Sequence, residues 1–177
     1  CRIGTLNMDI AAVISNHDTA RELVDREGIP FHHIPVTADT KQDAETQIRK
    51  IISETSAELV ILARYMQILS SDMTNSYPGK IINIHHSFLP SFKGAEPYSQ
   101  AYHRGVKMIG ATAHYVTPNL DEGPIIAQQV VPVRHDMSVE DMIGAGQEIE
   151  QSVMAKAIRA HTEHRILLNE GKTVVFD

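Results

Sequence analysis

The chain has one cysteine, Cys1, in 177 residues. No internal disulfide can form, which suits a reducing compartment. No run of about 18 apolar residues is present, so nothing is long enough to cross a membrane as a helix. The opening residues lack a long apolar stretch before a small-residue cleavage site, and no secretory leader is read there. The 16 Lys and Arg residues are nowhere clustered and the formal charge is −6. Both facts argue against a surface built for nucleic-acid phosphate and favour a small-molecule partner. Repeats, low-complexity tracts and linkers are also missing, so one domain over 1–177 is the simplest organisation. With 42% hydrophobic and 21% charged residues, a chain of this length buries roughly two-thirds of its unfolded surface without metal or disulfide.

What is present is an alternation of strand and helix patterns, which predicts an α/β fold. Strands are expected over 10–15, 30–36, 58–63, from 80 to a break after 87, 109–116, 125–133 and 173–176. Helices are expected over 19–27, 40–56, 70–77, 96–104 and from 138 to 164 or 165. Asn16 or Asp18, Ser70 and Ser138 are the predicted N-caps, the last in a box with Asp141; Gly28 and Gly105 are the predicted stops. Ala44, Ile48, Ile51 and Ile52 make an apolar stripe on the second helix. Gly144 and Gly146 weaken the last helix near its start. The connection 118–124 is too short for a parallel crossover, so the strands on either side are expected to pair antiparallel in a mixed sheet.

The stretch Lys80-Ile-Ile-Asn-Ile-His-His-Ser-Phe-Leu-Pro90 stands out, because Asn83, His85 and His86 interrupt what is otherwise a buried strand. At period two, Asn83 and His85 share one face, and His86 is expected on the other. Strand carboxyl ends are where open α/β sheets place ligands. An amide that stabilises a developing oxyanion, beside an imidazole that moves protons, suits acyl chemistry. Asp121, in the turn Leu120-Asp-Glu-Gly-Pro124, is the candidate carboxylate, expected to raise the His85 pKa and fix its tautomer. The alternatives stay open at this point. Asn83 and His85 could simply satisfy loop backbone, and Asp121 could be a turn former. A metal site built from His85, His86, His114 and Asp121 is disfavoured, because adjacent strand histidines diverge and no His-Glu-x-x-His helix exists. His32, His33 and His135 are read as surface or satisfied residues, and Ser87 lacks a Gly-x-Ser-x-Gly elbow. The loop after the third strand carries Tyr65, Met66, Ile68 and Leu69 where a surface connection would be polar, as a ligand-cleft wall would.

Four segments together carry a resemblance. They are Ala63-Arg-Tyr-Met-Gln-Ile-Leu-Ser70, Asn83-Ile-His-His-Ser-Phe-Leu-Pro90, Gly110-Ala-Thr-Ala-His-Tyr-Val116 and Leu120-Asp-Glu-Gly-Pro124. In this order they resemble the catalytic domain of the formyltetrahydrofolate deformylases, within the formyltransferase family. The resemblance implies a Rossmann-like three-layer domain with a mostly parallel, mixed central sheet. It implies Asn83, His85 and Asp121 as catalytic residues, and folate contacts from Met66, Gln67, Ile68, Leu69, His114, Thr117, Pro118, Asn119 and Leu120. The implied reaction is hydrolysis of 10-formyltetrahydrofolate to tetrahydrofolate and formate, in one-carbon and purine metabolism. Water is the acceptor, and no metal or cofactor beyond the folate is needed. A cytoplasmic homo-oligomer is the expected state, without nucleic-acid or membrane partners. The choice of water over an amine rests on His85-His86-Ser87-Phe88 and on Ala111-Thr-Ala-His114. A glycinamide ribonucleotide transferase would also want a Gly-rich phosphate loop, and none precedes Ile10. Formyl transfer to such an amine and a folate-binding module with little turnover are the alternatives. The resemblance further implies that the first catalytic strand and an ACT-type regulatory domain are missing ahead of residue 1, and Ser99 stands where His would be expected.

Overall fold

The computed structural model describes residues 6–86 and 97–177. Cys1, Ser87, Phe88 and the loop expected over 91–95 therefore lie outside the described residues. The chain forms two compact units, 1–60 and 61–177.

In the first unit, β1 (Val13–Ser15) and β2 (Phe31–His33) pair in parallel around α1 (Arg21–Arg26), as a β–α–β pattern predicts. The helix is shorter than expected and starts without a side-chain cap. Asp18 is otherwise engaged, accepting Arg21 Nε at 2.8 Å. Gly28 ends the turn at φ +71°, a left-handed conformation that glycine enters without Cβ strain. In α2 (Lys41–Glu54) the apolar stripe holds in part: Ala44 and Ile52 are buried, while Ile48 and Ile51 are half-buried.

The second unit is built on a sheet ordered β3 (Val60–Leu62), β4 (Ile81–His85), β5 (Met108–Tyr115) and β6 (Ile125–Pro132). Helices α3 (Ser71–Ser76), α4 (Pro97–His103) and α5 (Val139–Thr162) accompany it, α5 packing on β5, β6 and β4. Ile81, Ile82, Ala111, Ala113, Met142 and Ala157 are essentially inaccessible and form the centre of the core. The predicted antiparallel pairing of β5 with β6 is present, with an irregularity at Ala113/His114. A second antiparallel pair, β4 with β5, was not legible, because a helix-containing connection is compatible with either direction. Its register sets Asn83 opposite His114 and His85 opposite Thr112. Directly opposed residues share a face, so this pairing brings side chains distant in sequence onto one surface.

Both predicted caps of this unit form. Ser70 accepts the Met73 N–H at 3.1 Å. Ser138 accepts the Asp141 N–H at 3.1 Å while Asp141 accepts the Ser138 N–H at 2.9 Å. At the other end of the chain, β7 (Ile166–Asn169) and β8 (Lys172–Val175) make a hairpin of which only the second strand was expected. Its two-residue turn has Glu170 and Gly171 both at positive φ, the combination a tight hairpin needs.

The two glycines of α5 differ. A Cβ on Gly144 meets nothing within 4 Å, whereas one on Gly146 would lie 1.9 Å from the Tyr98 hydroxyl. Gly144→Ala is expected to stabilise the fold by about 1 kcal/mol, since only the helical entropy penalty of glycine is removed. A denaturation midpoint equal to or below that of the parent chain would show that the site tolerates no side chain.

Candidate active site

Strand β4 delivers Asn83 and His85 from its last three positions, and the turn between β5 and β6 delivers Asp121 to meet them. The His85 Nδ1 atom lies 3.4 Å from Asp121 Oδ2, and His114 Nε2 lies 3.7 Å from Asp121 Oδ1. The carboxylate thus lies between the two imidazoles. The Asn83 amide nitrogen is 3.4 Å from His114 Nε2. His114 is 2% exposed, and its Nδ1 donates to the Tyr115 carbonyl at 2.9 Å. Since a carbonyl only accepts, His114 carries its proton on Nδ1 and offers a lone pair on Nε2 to the Asn83 amide.

Two backbone features hold the carboxylate there. Asp121 sits at φ +56°, a region in which Asp is among the few tolerated residues. Two residues on, Gly123 lets the returning chain touch β5: a Cβ would fall 1.7 Å from the Tyr115 carbonyl oxygen. That close approach permits the Tyr115 N–H to donate to the Pro124 carbonyl at 2.9 Å. Glu122 is exposed.

Two sequence expectations are corrected here. His86 does not diverge from His85. The strand ends at His85, alternation ends with it, and the two rings stack at 5.0 Å with planes 17° apart. Nor does Asp121 raise the His85 pKa above its ordinary value. Burial is the largest influence and pushes it down from 6.5; His86 and His114 push the same way, and together they outweigh the upward pull of Asp121. His85 is thus neutral near pH 7, with the hydrogen of Nδ1 directed at Asp121. Its Nε2 is buried and finds no partner among the described residues, an acceptor held ready in a low-dielectric place. The imidazole of His85 is expected to titrate below pH 6.5 in NMR, and lower still in Asp121→Asn, because both influences that raise it come from Asp121. A midpoint above 6.5 would mean that the carboxylate dominates.

The cluster lies in the wall of a cavity of about 690 Å³, a size suited to a small organic ligand. Met66, Gln67, Ile68, Leu69, Thr117, Pro118, Asn119 and Leu120 all line this cavity together with Asn83, His85, His114 and Asp121. Met66 and Ile68 of the apolar loop are 76% and 55% exposed and Leu120 of the turn before Asp121 is 55% exposed, so the cavity mouth presents apolar surface to solvent. Sequence reasoning missed the wall contributed by α4 and α5, where Tyr98 donates to Glu150 at 3.1 Å. The signal available was Gly146, whose missing side chain makes room for the phenol. His161, near the end of α5, meets the Tyr115 hydroxyl at 2.7 Å. Among the described residues no group of three or more His, Cys, Asp or Glu side chains is arranged to hold a metal ion, and no helix is long and apolar enough to cross a membrane.

Comparison with known proteins gives consistent relatives. The formyl transferase family model matches residues 1–158. A formyltetrahydrofolate deformylase of Corynebacterium sp. (strain P-1) is 54% identical over 97% of this chain and 60% of its own length. The chain thus spans about three-fifths of the curated relatives it matches. The crystal structure of a formyltetrahydrofolate deformylase from Burkholderia mallei superposes with a TM-score of 0.95 at 50% identity, covering 99% of this chain and 63% of that one. Glycinamide ribonucleotide transformylase 1 from Symbiobacterium toebii superposes at 0.92 with 33% identity, over 100% of this chain and 85% of its own. With an α/β fold, a mixed sheet and a match running through every segment that builds the site, the chain belongs to the formyl transferase family.

Proposed function

We propose that this chain hydrolyses 10-formyltetrahydrofolate to tetrahydrofolate and formate. The observation that carries the proposal is the Asn83–His85–Asp121 cluster in the wall of a cavity whose mouth is apolar. The folate ring system packs against Met66–Leu69 and Thr117–Leu120, whose backbone groups can meet the pterin amide edge, and the formyl group reaches the cluster. One Asn83 N–H polarises the formyl oxygen. Asp121, beside Nδ1, fixes the His85 ring so that Nε2 can face the attacking water. As water adds to the formyl carbon, neutral His85 takes its proton at Nε2, and Asp121 at Nδ1 balances the imidazolium. The tetrahedral oxyanion is held by Asn83. Its collapse breaks the bond between carbon and N10 as His85 returns the proton to N10, releasing formate and tetrahydrofolate. The partial burial of His85 favours this cycle, since an imidazole already protonated at neutral pH could not serve as the base.

The same proposal places the enzyme in one-carbon metabolism in the cytoplasm, beside purine synthesis, as a homo-oligomer using water and no metal. The 54% identity to a protein named as a deformylase favours water over an amine. The test is direct: incubate the protein with 10-formyltetrahydrofolate and follow formate and tetrahydrofolate, with and without glycinamide ribonucleotide. Formate in equal amount to tetrahydrofolate, independent of the amine, supports hydrolysis. Turnover that requires the amine means transfer, and binding without either product means a folate-binding module.

A further inference from the structure

Proteins named as a deformylase and as a transformylase share this fold with TM-scores of 0.95 and 0.92. Backbone alone therefore does not choose between water and amine; side chains in the cavity must. The folate and catalytic assignments above leave one wall unused, that of Tyr98 from α4 with Ile143, Gln147 and Glu150 from α5. This wall lines the same cavity as the reacting cluster, so an acceptor bound there can meet both.

The wall is built around the phenol. Its hydroxyl donates to Glu150 Oε1 at 3.1 Å, and its ring is seated on α5 where the helix has no side chain. A Cβ at Gly146 would fall 1.9 Å from the hydroxyl oxygen and 2.3 Å from the ring carbon bearing it. Burial, and next the Glu150 carboxylate, push the Tyr98 phenol above its ordinary pKa, so it remains a protonated donor. An unmasked carboxylate in such a wall would attract an amine, whose ammonium or N–H groups would pair with it. Tyr98 takes one of the carboxylate's oxygens and the volume beside it.

We propose that Tyr98, seated over Gly146 and bonded to Glu150, restricts the acceptor to water by filling and capping the place an amine acceptor would occupy. This rests on the hydrolytic reading of the same site. It makes Tyr98 a specificity-determining residue that takes no proton in the reaction.

Hydroxylamine is a compact amine probe for that place. Its nitrogen would attack the formyl carbon, the bond from carbon to N10 would break, and the nitrogen's proton would pass to N10. The products are formohydroxamic acid and tetrahydrofolate. The parent chain with 10-formyltetrahydrofolate and hydroxylamine is expected to give formate, with hydroxamate no faster than the enzyme-free mixture. Tyr98→Ala is expected to raise the ratio of hydroxamate to formate by on the order of 10-fold or more. Tyr98→Phe keeps the ring packed and loses only the bond to Glu150, and a smaller rise in the same direction is expected. It also guards against failure of the alanine variant to fold. A ratio equal to the parent's in a folded, active Tyr98 variant overturns the proposal. No formate from the parent chain overturns instead the hydrolytic reading beneath it, so the two failures are distinct.

Discussion

Replacing Asn83 by alanine is expected to lower the rate of formate release from 10-formyltetrahydrofolate by about 100- to 1000-fold, the usual cost of one oxyanion donor. The loss should fall on kcat with KM little changed, because the bond strengthens only as charge develops on the formyl oxygen. The geometry makes the substitution informative. Asn83 has two amide hydrogens, and His114 Nε2 at 3.4 Å engages only one of them. The other is available for the substrate. Alanine also leaves the Nε2 lone pair of a 2% exposed His114 without its donor, a stability cost of about 1 kcal/mol that a melting curve would detect. A folded Asn83→Ala enzyme with turnover within a few fold of the parent would remove Asn83 from the chemistry.

How much of this was legible in the sequence varies with the range of the interaction. Local features read well. The Ser70 and Ser138 caps, the Gly28 stop and the antiparallel β5–β6 pair follow from residues within a few positions of each other. Period-two alternation predicts Asn83 with His85 on one face of β4, and the same rule puts Thr112 with His114 on one face of β5, each as a separate pair. What alternation cannot give is which strands are neighbours. Only the β4–β5 register, Asn83 opposite His114, turns two pairs into one cluster. The same limit explains the missed Tyr98–Glu150 contact, which joins residues 52 positions apart. His86 failed for a different reason: the alternation rule was carried one residue past the strand's end. The His85 pKa was misjudged because a charge partner can be guessed from a motif, whereas burial depends on everything packed around the ring.

Asp121→Asn is expected to lower kcat by about 100- to 10,000-fold, the range spanned by general acid–base contributions, with the fold intact. Asparagine is the appropriate replacement because the position has φ +56°, which Asn tolerates as well as Asp does; alanine there would add backbone strain and confuse the comparison. The change keeps the shape and removes the charge. The Nδ1 atom of His85, 3.4 Å from the carboxylate, then has no anion to balance the imidazolium formed when Nε2 takes the proton of water. Burial already disfavours that charged form, and Asp121 is the source of both influences that oppose burial. Deleting it lowers the His85 pKa further and weakens the base. If Asp121 serves only to shape the turn, the asparagine variant retains near-parental turnover and the parental His85 titration midpoint. If it supports the base, both fall together, and kinetics and NMR on the same preparation separate the two outcomes.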